Sequence, residues 1–255
     1  MNHKSAIYPC VFFIGKFPLL LITCITIQVH AQVLLKNPDA KDSCKFQIGI
    51  HFSPDICYRT LHLADNSSIE NPIIPLINEL EVPKYGYTLG ANLWIHIRNI
   101  VGIETGIHFS NRGYQSKVME LHSIEDDPNM TERAHYSTEF YAIDIPIKAN
   151  FTIGHKKIRF FASAGFTTTF FIEMVAIHTY YYSDQTVIKT IPIYDDYNPV
   201  NLSPTISAGI YYKINNKMSL RIDPIFRYCV LRIANTPIVD HLYSGGLNIS
   251  YYFGL

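Results

Sequence analysis

Tyr85-Gly86-Tyr87-Thr88-Leu89-Gly90-Ala91-Asn92-Leu93-Trp94-Ile95-His96-Ile97 alternates by residue type, with Tyr, Leu, Ala or Ile at every odd position and mostly Gly, Thr, Asn and His at the even ones. Successive side chains of a strand point to opposite faces, so this stretch has one apolar face and one small or polar face. A water-soluble barrel turns the apolar face inward, whereas a membrane barrel turns it outward to lipid.

Seven further segments share the pattern. Phe46, Ile48, Ile50 and Phe52 oppose Gln47, Gly49, His51 and Ser53, and after Arg98-Asn99 the alternation resumes over 101–110. It returns over 141–153, after Gly154-His-Lys-Lys157 over 159–170, and over 201–212. The last two segments are 220–230, after Asn215-Asn216, and 243–255. Tight turns thus alternate with long polar or Pro-containing connections near 61–83, 116–138, 174–198 and 233–241, the asymmetry of outer-membrane barrels with short periplasmic turns and longer outer loops. In this topology Tyr85, Tyr87, Phe109, Tyr141, Phe170, Tyr228 and Tyr243 form an outer aromatic ring. Phe46, Phe151, Phe160, Tyr212, Tyr251 and Phe253 form an inner one. Two girdles at headgroup level decide for lipid. The reading is an all-β chain: an eight-stranded antiparallel up-and-down transmembrane barrel over 45–255. Pro146, Pro204 and Pro224 lie inside strands and predict bulges or bends there. Trp94 falls on the polar face, which therefore needs room for a large ring near the inner end.

Residues 1–31 read as a signal peptide. Lys4 and Lys16 supply positive charge, 17–29 is mostly apolar, and Val29-His30-Ala31 before Gln32 is a small-residue cleavage site. Thr23 before Cys24, and an apolar run continuing past it, disfavour a lipoprotein anchor. Residues 32–44 form a short periplasmic segment. The formal net charge is +0, which offers nucleic acid no basic surface. Cys44, Cys57 and Cys229 remain after cleavage, an odd and irregular set that makes no disulfide framework.

Eight strands leave an interior just wide enough for side chains. Its expected charge network is Glu104, Asp144, Lys148, Arg159, Arg221, Asp223 and Arg227, with Glu173 also inward and His51, His108 and Arg112 nearer the outer end. The mixed signs suit a paired plug, because buried charge requires compensation. Gly-Ile-His-Phe-Ser occurs at 49–53 and at 106–110. His and Ser two apart share a face, as a hydrolase resembling the outer-membrane lipid A deacylases would need. The phase turns both pairs inward, however, and no acid is placed by spacing. No catalytic residue, cofactor site or metal site is assigned, since no Cys/His ligand spacing and no Gly-rich phosphate loop occurs.

From about Phe46 to Leu255 the chain resembles the PorT-like outer-membrane β-barrel family of Gram-negative bacteria. The resemblance rests on 52–59, on 102–110, on the Asp144-Ile145-Pro146 segment, on the Ala31-Gln32 junction and on 245–255. It implies a non-enzymatic barrel, with a structural role or an accessory role in secretion or surface assembly. Lipid, the barrel-insertion machinery and a secretion or surface-protein partner would be its contacts. Tyr251, Phe253 and Leu255 resemble the terminal strand signal read by the insertion machinery. A lipid-modifying enzyme and a small-solute channel are the alternative readings.

Overall fold

In the computed structural model, the described residues are 46–64, 73–98, 100–121, 131–194, 197–234 and 236–254. Residues 1–31, the Ala31-Gln32 junction, residues 32–44 and Leu255 lie outside them. These residues form ten strands, the ring strands carrying the alternation, and one short helix: β1 (Phe46–Leu63), α1 (Ile73–Leu80), β2 (Glu81–His96), β3 (Val101–Ser116), β4 (Met119–Glu120), β5 (Arg133–Ile153), β6 (Ile158–Tyr181), β7 (Thr186–Pro192), β8 (Val200–Lys213), β9 (Met218–Tyr228) and β10 (Ile238–Gly254). Eight of the strands close a ring in the order β1-β2-β3-β5-β6-β8-β9-β10. All pairings are antiparallel, and β10 returns to β1. The remaining two, β4 and β7, add to the outer ends of β5 and β6.

The alternation resolves as a membrane barrel requires. Over residues 46–57 of β1, each even residue is exposed and each odd one buried. Ile48, Ile50, Ile107, Ile147, Phe160 and Ile206 all present 46% or more of their surface, an apolar band that only lipid can cover. The outer girdle is continuous where Phe109 lies 6.3 Å from Tyr87 and 6.1 Å from Tyr141. At the inner girdle Tyr251 and Phe253 meet at 4.7 Å.

The three tight turns fall where the dipeptides place them. Arg98 closes the β2–β3 turn on Val101, and Asn215 Oδ1 accepts the backbone N–H groups of Lys217 and Met218 between β8 and β9. The side-chain oxygen replaces a turn carbonyl there. Gly154 opens the third turn at φ +129°, a conformation that a Cβ would strain.

Two expectations change. Strand extends into each outer connection among the described residues: β6 has 24 residues, against the ~10 that a tilted strand needs to cross the hydrocarbon. Beyond the girdle no lipid enforces an apolar face, so the period-two hydrophobic signal ends while the ladder continues. The prolines, in turn, produce no register shift. Pro146 keeps its pairing with Thr167, Pro204 with Phe166 and Pro224 with Leu247. The β3–β5 ladder merely skips the rungs opposite Pro146, and the β8–β9 ladder skips those opposite Pro224. Each proline ring removes a donor on one side of its strand only. The true shifts lie between Pro83 and Tyr87 in the β2–β3 pair and at Tyr141/Ala142 in the β5–β6 pair.

Candidate functional site

The polar faces of all eight ring strands converge inside the barrel, where their side chains stack in layers counted here from the short turns. The first layer is an aromatic floor of Trp94, Phe161, Tyr211 and Tyr252, all buried. Trp94 packs edge-on against the other three rings, at 5.3 Å from Tyr252, 5.6 Å from Tyr211 and 5.8 Å from Phe161. Glycine makes the space: a Cβ on Gly102 would come within 2.3 Å of Trp94 Nε1, and one on Gly49 within 2.6 Å of Tyr252 Cδ1.

Glu104 is the hub of the next layer. Its carboxylate takes Arg221 Nη1 at 2.5 Å and Nη2 at 3.2 Å, and Lys148 Nζ at 2.7 Å. Asn150 Nδ2 donates to it at 2.8 Å and the Tyr252 hydroxyl at 2.9 Å. Arg221 also donates through Nε to Asp223 Oδ1 at 2.8 Å, and the Asn248 amide reaches Asp223 at 3.2 Å. The guanidinium lies 4.4 Å from the Phe161 ring centroid, so the floor and the hub form one packed unit.

Midway up, the His51 and His108 rings meet at 4.0 Å, and His108 Nε2 lies 2.7 Å from Asn92 Oδ1. Farther out, Asp144 pairs with Arg112 and accepts from Thr169 at 2.6 Å. Asp55 accepts from Thr88 at 2.6 Å and Ser53 at 2.7 Å, and takes Arg227 at 3.2 Å. An apolar layer of Phe140, Ala142, Phe171, Cys229, Ile233 and Leu242 follows. Arg59 closes the outer mouth: it pairs with Glu81 at 2.5 Å and Asp240 at 3.4 Å, and lies 3.6 Å over the Tyr114 ring. Two residues beyond Tyr141 on β5, burial alone would raise the Glu139 carboxyl. Hydrogen bonds from Tyr141 and Asn111, with the Lys84 ammonium at 3.3 Å, outweigh that and hold it below its ordinary range.

Six residues of the sequence-read network are therefore brought inside: Glu104, Asp144, Lys148, Arg221, Asp223 and Arg227. Arg159 is not among them. It sits half-buried at the inner rim, where its Nε donates to the Lys156 carbonyl at 3.1 Å. Glu173 faces out, because the bulge at Tyr141/Ala142 makes Ile172 an extra residue and reverses the phase of β6 above it. Asp55 is the inner acid that the sequence reading missed. The alternation Ser53, Asp55, Cys57 marks it, but Pro54 masks the continuation of β1. Of the terminal signal, Phe253 is exposed on the outer face.

The two His/Ser pairs are buried in the interior. Ser53 is committed to Asp55 and His108 to Asn92, while Ser110 Oγ and His51 Nδ1 have no hydrogen-bond partner among the described residues. Among the described residues no three His, Cys, Asp or Glu side chains converge as metal ligands. The space between His51, His108, Lys148, Arg221, Arg227 and Asn248 is about 10 Å³, the lower limit for a single water molecule.

A protein-family model described as outer membrane protein beta-barrel domain matches residues 31–230. The chain belongs to that family. This outer membrane barrel is also similar to solved structures. The outer membrane protein OprG from Pseudomonas aeruginosa is 10% identical, with TM-score 0.45, covering 84% of this chain and 98% of its own. Neisserial surface protein A (NspA) is 10% identical, with TM-score 0.43, covering 83% and 97%. The outer membrane protease OmpT from Escherichia coli is 7% identical, with TM-score 0.39, covering 86% and 100%. Identities this low carry no activity from those proteins to this outer membrane barrel. No curated protein sequence matches it.

The layered interior predicts a result in planar bilayers. The refolded outer membrane barrel should show no stepwise conductance, because the floor, the Glu104 hub and the apolar layer each fill the cross-section. Discrete steps altered by charge reversal at Glu104 or Arg221 would mean that the plug moves.

Proposed function

We propose that this protein is a closed, non-catalytic outer-membrane anchor that presents an extracellular β-sheet to a secretion or surface-assembly partner, after export by the signal at 1–31. The observation that carries the reading is the free edge of β7. Residues Val175–Tyr181 of β6 pair with β7, and β7 ends the sheet among the described residues. Its Ile188 is 65% exposed and Ile191 46%. Rings of Tyr136, His178 and Tyr180 pack together on the neighbouring strands, with Lys189 5.7 Å from the Tyr180 ring. An exposed edge of this kind accepts a partner strand through backbone hydrogen bonds, while side chains on alternate positions select it. The resemblance to PorT-like barrels supports a secretion-linked partner. The packed interior supports a role outside the lumen rather than transport.

The test is a chain in which residues 178–189 are replaced by a short Gly/Ser turn. The replacement trims the outer end of β6 but leaves the membrane-spanning parts of the ring strands, so the barrel should still run faster cold than boiled on a gel. Display of secreted proteins on the cell surface should fall as far as in a strain lacking the gene. Normal display in the deletion strain would sink the proposal. A lipid-modifying enzyme would instead leave altered acylation of outer-membrane lipid when the gene is removed, with His51 or His108 essential.

A further inference from the structure

The outer face of β1, β9 and β10 does not end at the aromatic girdle. Two residues beyond Tyr243 on the same face of β10 lies His241, whose ring stacks on Tyr228 at 5.9 Å and on His62 at 5.1 Å with 6° between the planes. Three parallel rings therefore continue the girdle upward into the headgroup region. His241 Nδ1 lies 3.0 Å from the Cys229 carbonyl. A carbonyl oxygen only accepts, so Nδ1 carries the proton and Nε2 is the uncommitted nitrogen.

Beside these rings is a recess of about 610 Å³, walled by His62, His241, Arg232, Asn198, Val200 and Val230. That size falls within the roughly 300–1,000 Å³ of small-molecule sites. Its wall is fixed rather than loose. The Asn198 amide donates to the Arg232 carbonyl at 2.8 Å, and the Asn198 N–H donates to the Ile233 carbonyl at 2.6 Å. Arg232 is exposed, and its side chain has no carboxylate partner among the described residues. Toward the bilayer the recess turns apolar, through Val200 (41% exposed), Val230 (40%) and Leu231 (48%).

We propose that this recess binds the phosphorylated headgroup of an outer-leaflet lipid. Arg232 takes the phosphate as a charge-assisted pair, an N–H of the His62 ring donates to its oxygens, the stacked His241 ring holds His62 in place, and the first acyl segment lies on Val200 and Val230. A guanidinium above an apolar floor, on the lipid-facing side and at headgroup height, is complementary to an amphiphile. A free phosphate would leave the apolar floor wet. The site is separate from the β7 edge and does not rest on the partner reading.

The test uses the full-length protein folded in nonionic micelles containing phosphatidic acid, with bound lipid counted by native mass spectrometry. Wild type should retain one phosphatidic acid and bind phosphatidylcholine about tenfold more weakly, since the quaternary ammonium offsets the phosphate charge. The Arg232→Ala/His62→Ala variant should lose about tenfold in phosphatidic acid affinity, while Lys189→Ala, far out on the projecting hairpin, should not. Cold and boiled gel mobilities check that each variant is folded. Equal retention of the two lipids, or equal retention by wild type and the double variant, overturns the proposal. So does displacement of phosphatidic acid by an equal concentration of inorganic phosphate, which would assign the recess to the free ion.

Discussion

A chain ending at Ser250 should not reach the outer membrane as a folded barrel. Residues 251–254 of β10 pair with Ile50, Gly49, Ile48 and Gln47 of β1 on one side. On the other side Tyr251, Tyr252 and Phe253 pair with Leu220, Ser219 and Met218 of β9. Removing them opens the seam that closes the ring and leaves backbone donors and acceptors of β1 and β9 facing hydrocarbon. Each such group costs several kcal/mol where no water can replace the partner. The aromatic floor also loses Tyr252, and the Glu104 hub loses that hydroxyl. The expected outcome is no protein in the outer-membrane fraction that runs faster cold than boiled. Normal membrane levels of the truncated chain would overturn the assignment of this strand. Two point variants separate the causes. Phe253→Ala touches only the outward girdle and slows insertion if the machinery reads that ring. Tyr252→Ala leaves the outer face intact and lowers stability after insertion.

The second large effect centres on Glu104. Its carboxylate faces Arg221 and Lys148 at full burial. Glu104→Gln removes the negative charge, leaving buried Lys148 without an ion pair and Arg221 with Asp223 alone. Removing one partner of a buried pair typically costs ~3–5 kcal/mol, and this residue serves two. The midpoint of urea unfolding, followed by cold gel mobility, should fall accordingly. Adding Lys148→Met should recover part of the loss, because Arg221 keeps Asp223 and the interior is again balanced. A single variant within about 1 kcal/mol of wild type would mean that water reaches the hub and screens it.

The fold was legible because lipid imposes a strict rule on one face of each strand. Wherever that rule held, from Phe46 to Phe52 or from Val101 to Phe109, the residues read out face, direction and girdle height. It fails beyond the headgroups, which is why β7, β4 and the outer half of β6 read as loops. The interior was legible where phase was unbroken, as for Glu104 and Lys148, which pair across β3 and β5. Where a strand takes in an extra residue, as at Ile172, parity inverts, and Glu173 turns outward with no sign in composition. Asp55 stayed hidden for a different reason. Pro54 reads as a breaker, yet it disturbs only the β10 side of β1 and keeps its partner Tyr87 on β2. The neutral layers of Ser, Thr and Asn could be placed inside by parity, but which of them meets which charge depends on ring closure.

The distribution of the inner charges among strands has a consequence for assembly. Of the inner charges on β1, β2, β3 and β5, Arg59 pairs with Glu81 and Lys84 with Glu139, which leaves Asp55, Glu104 and Asp144 with Arg112 and Lys148 to face them. Arg221 and Arg227 both arrive on β9, where Asp223 accompanies them. The first half of the barrel is therefore left with an excess of negative charge that nothing in β6 or β8 relieves. That half-ring stays hydrated along its concave side until β9 joins it. Arrival of β9 neutralises the interior and permits water to leave in the same step. Drying of the lumen thus waits for the two halves to meet, in whichever order the strands are added, and no dry half-barrel precedes it.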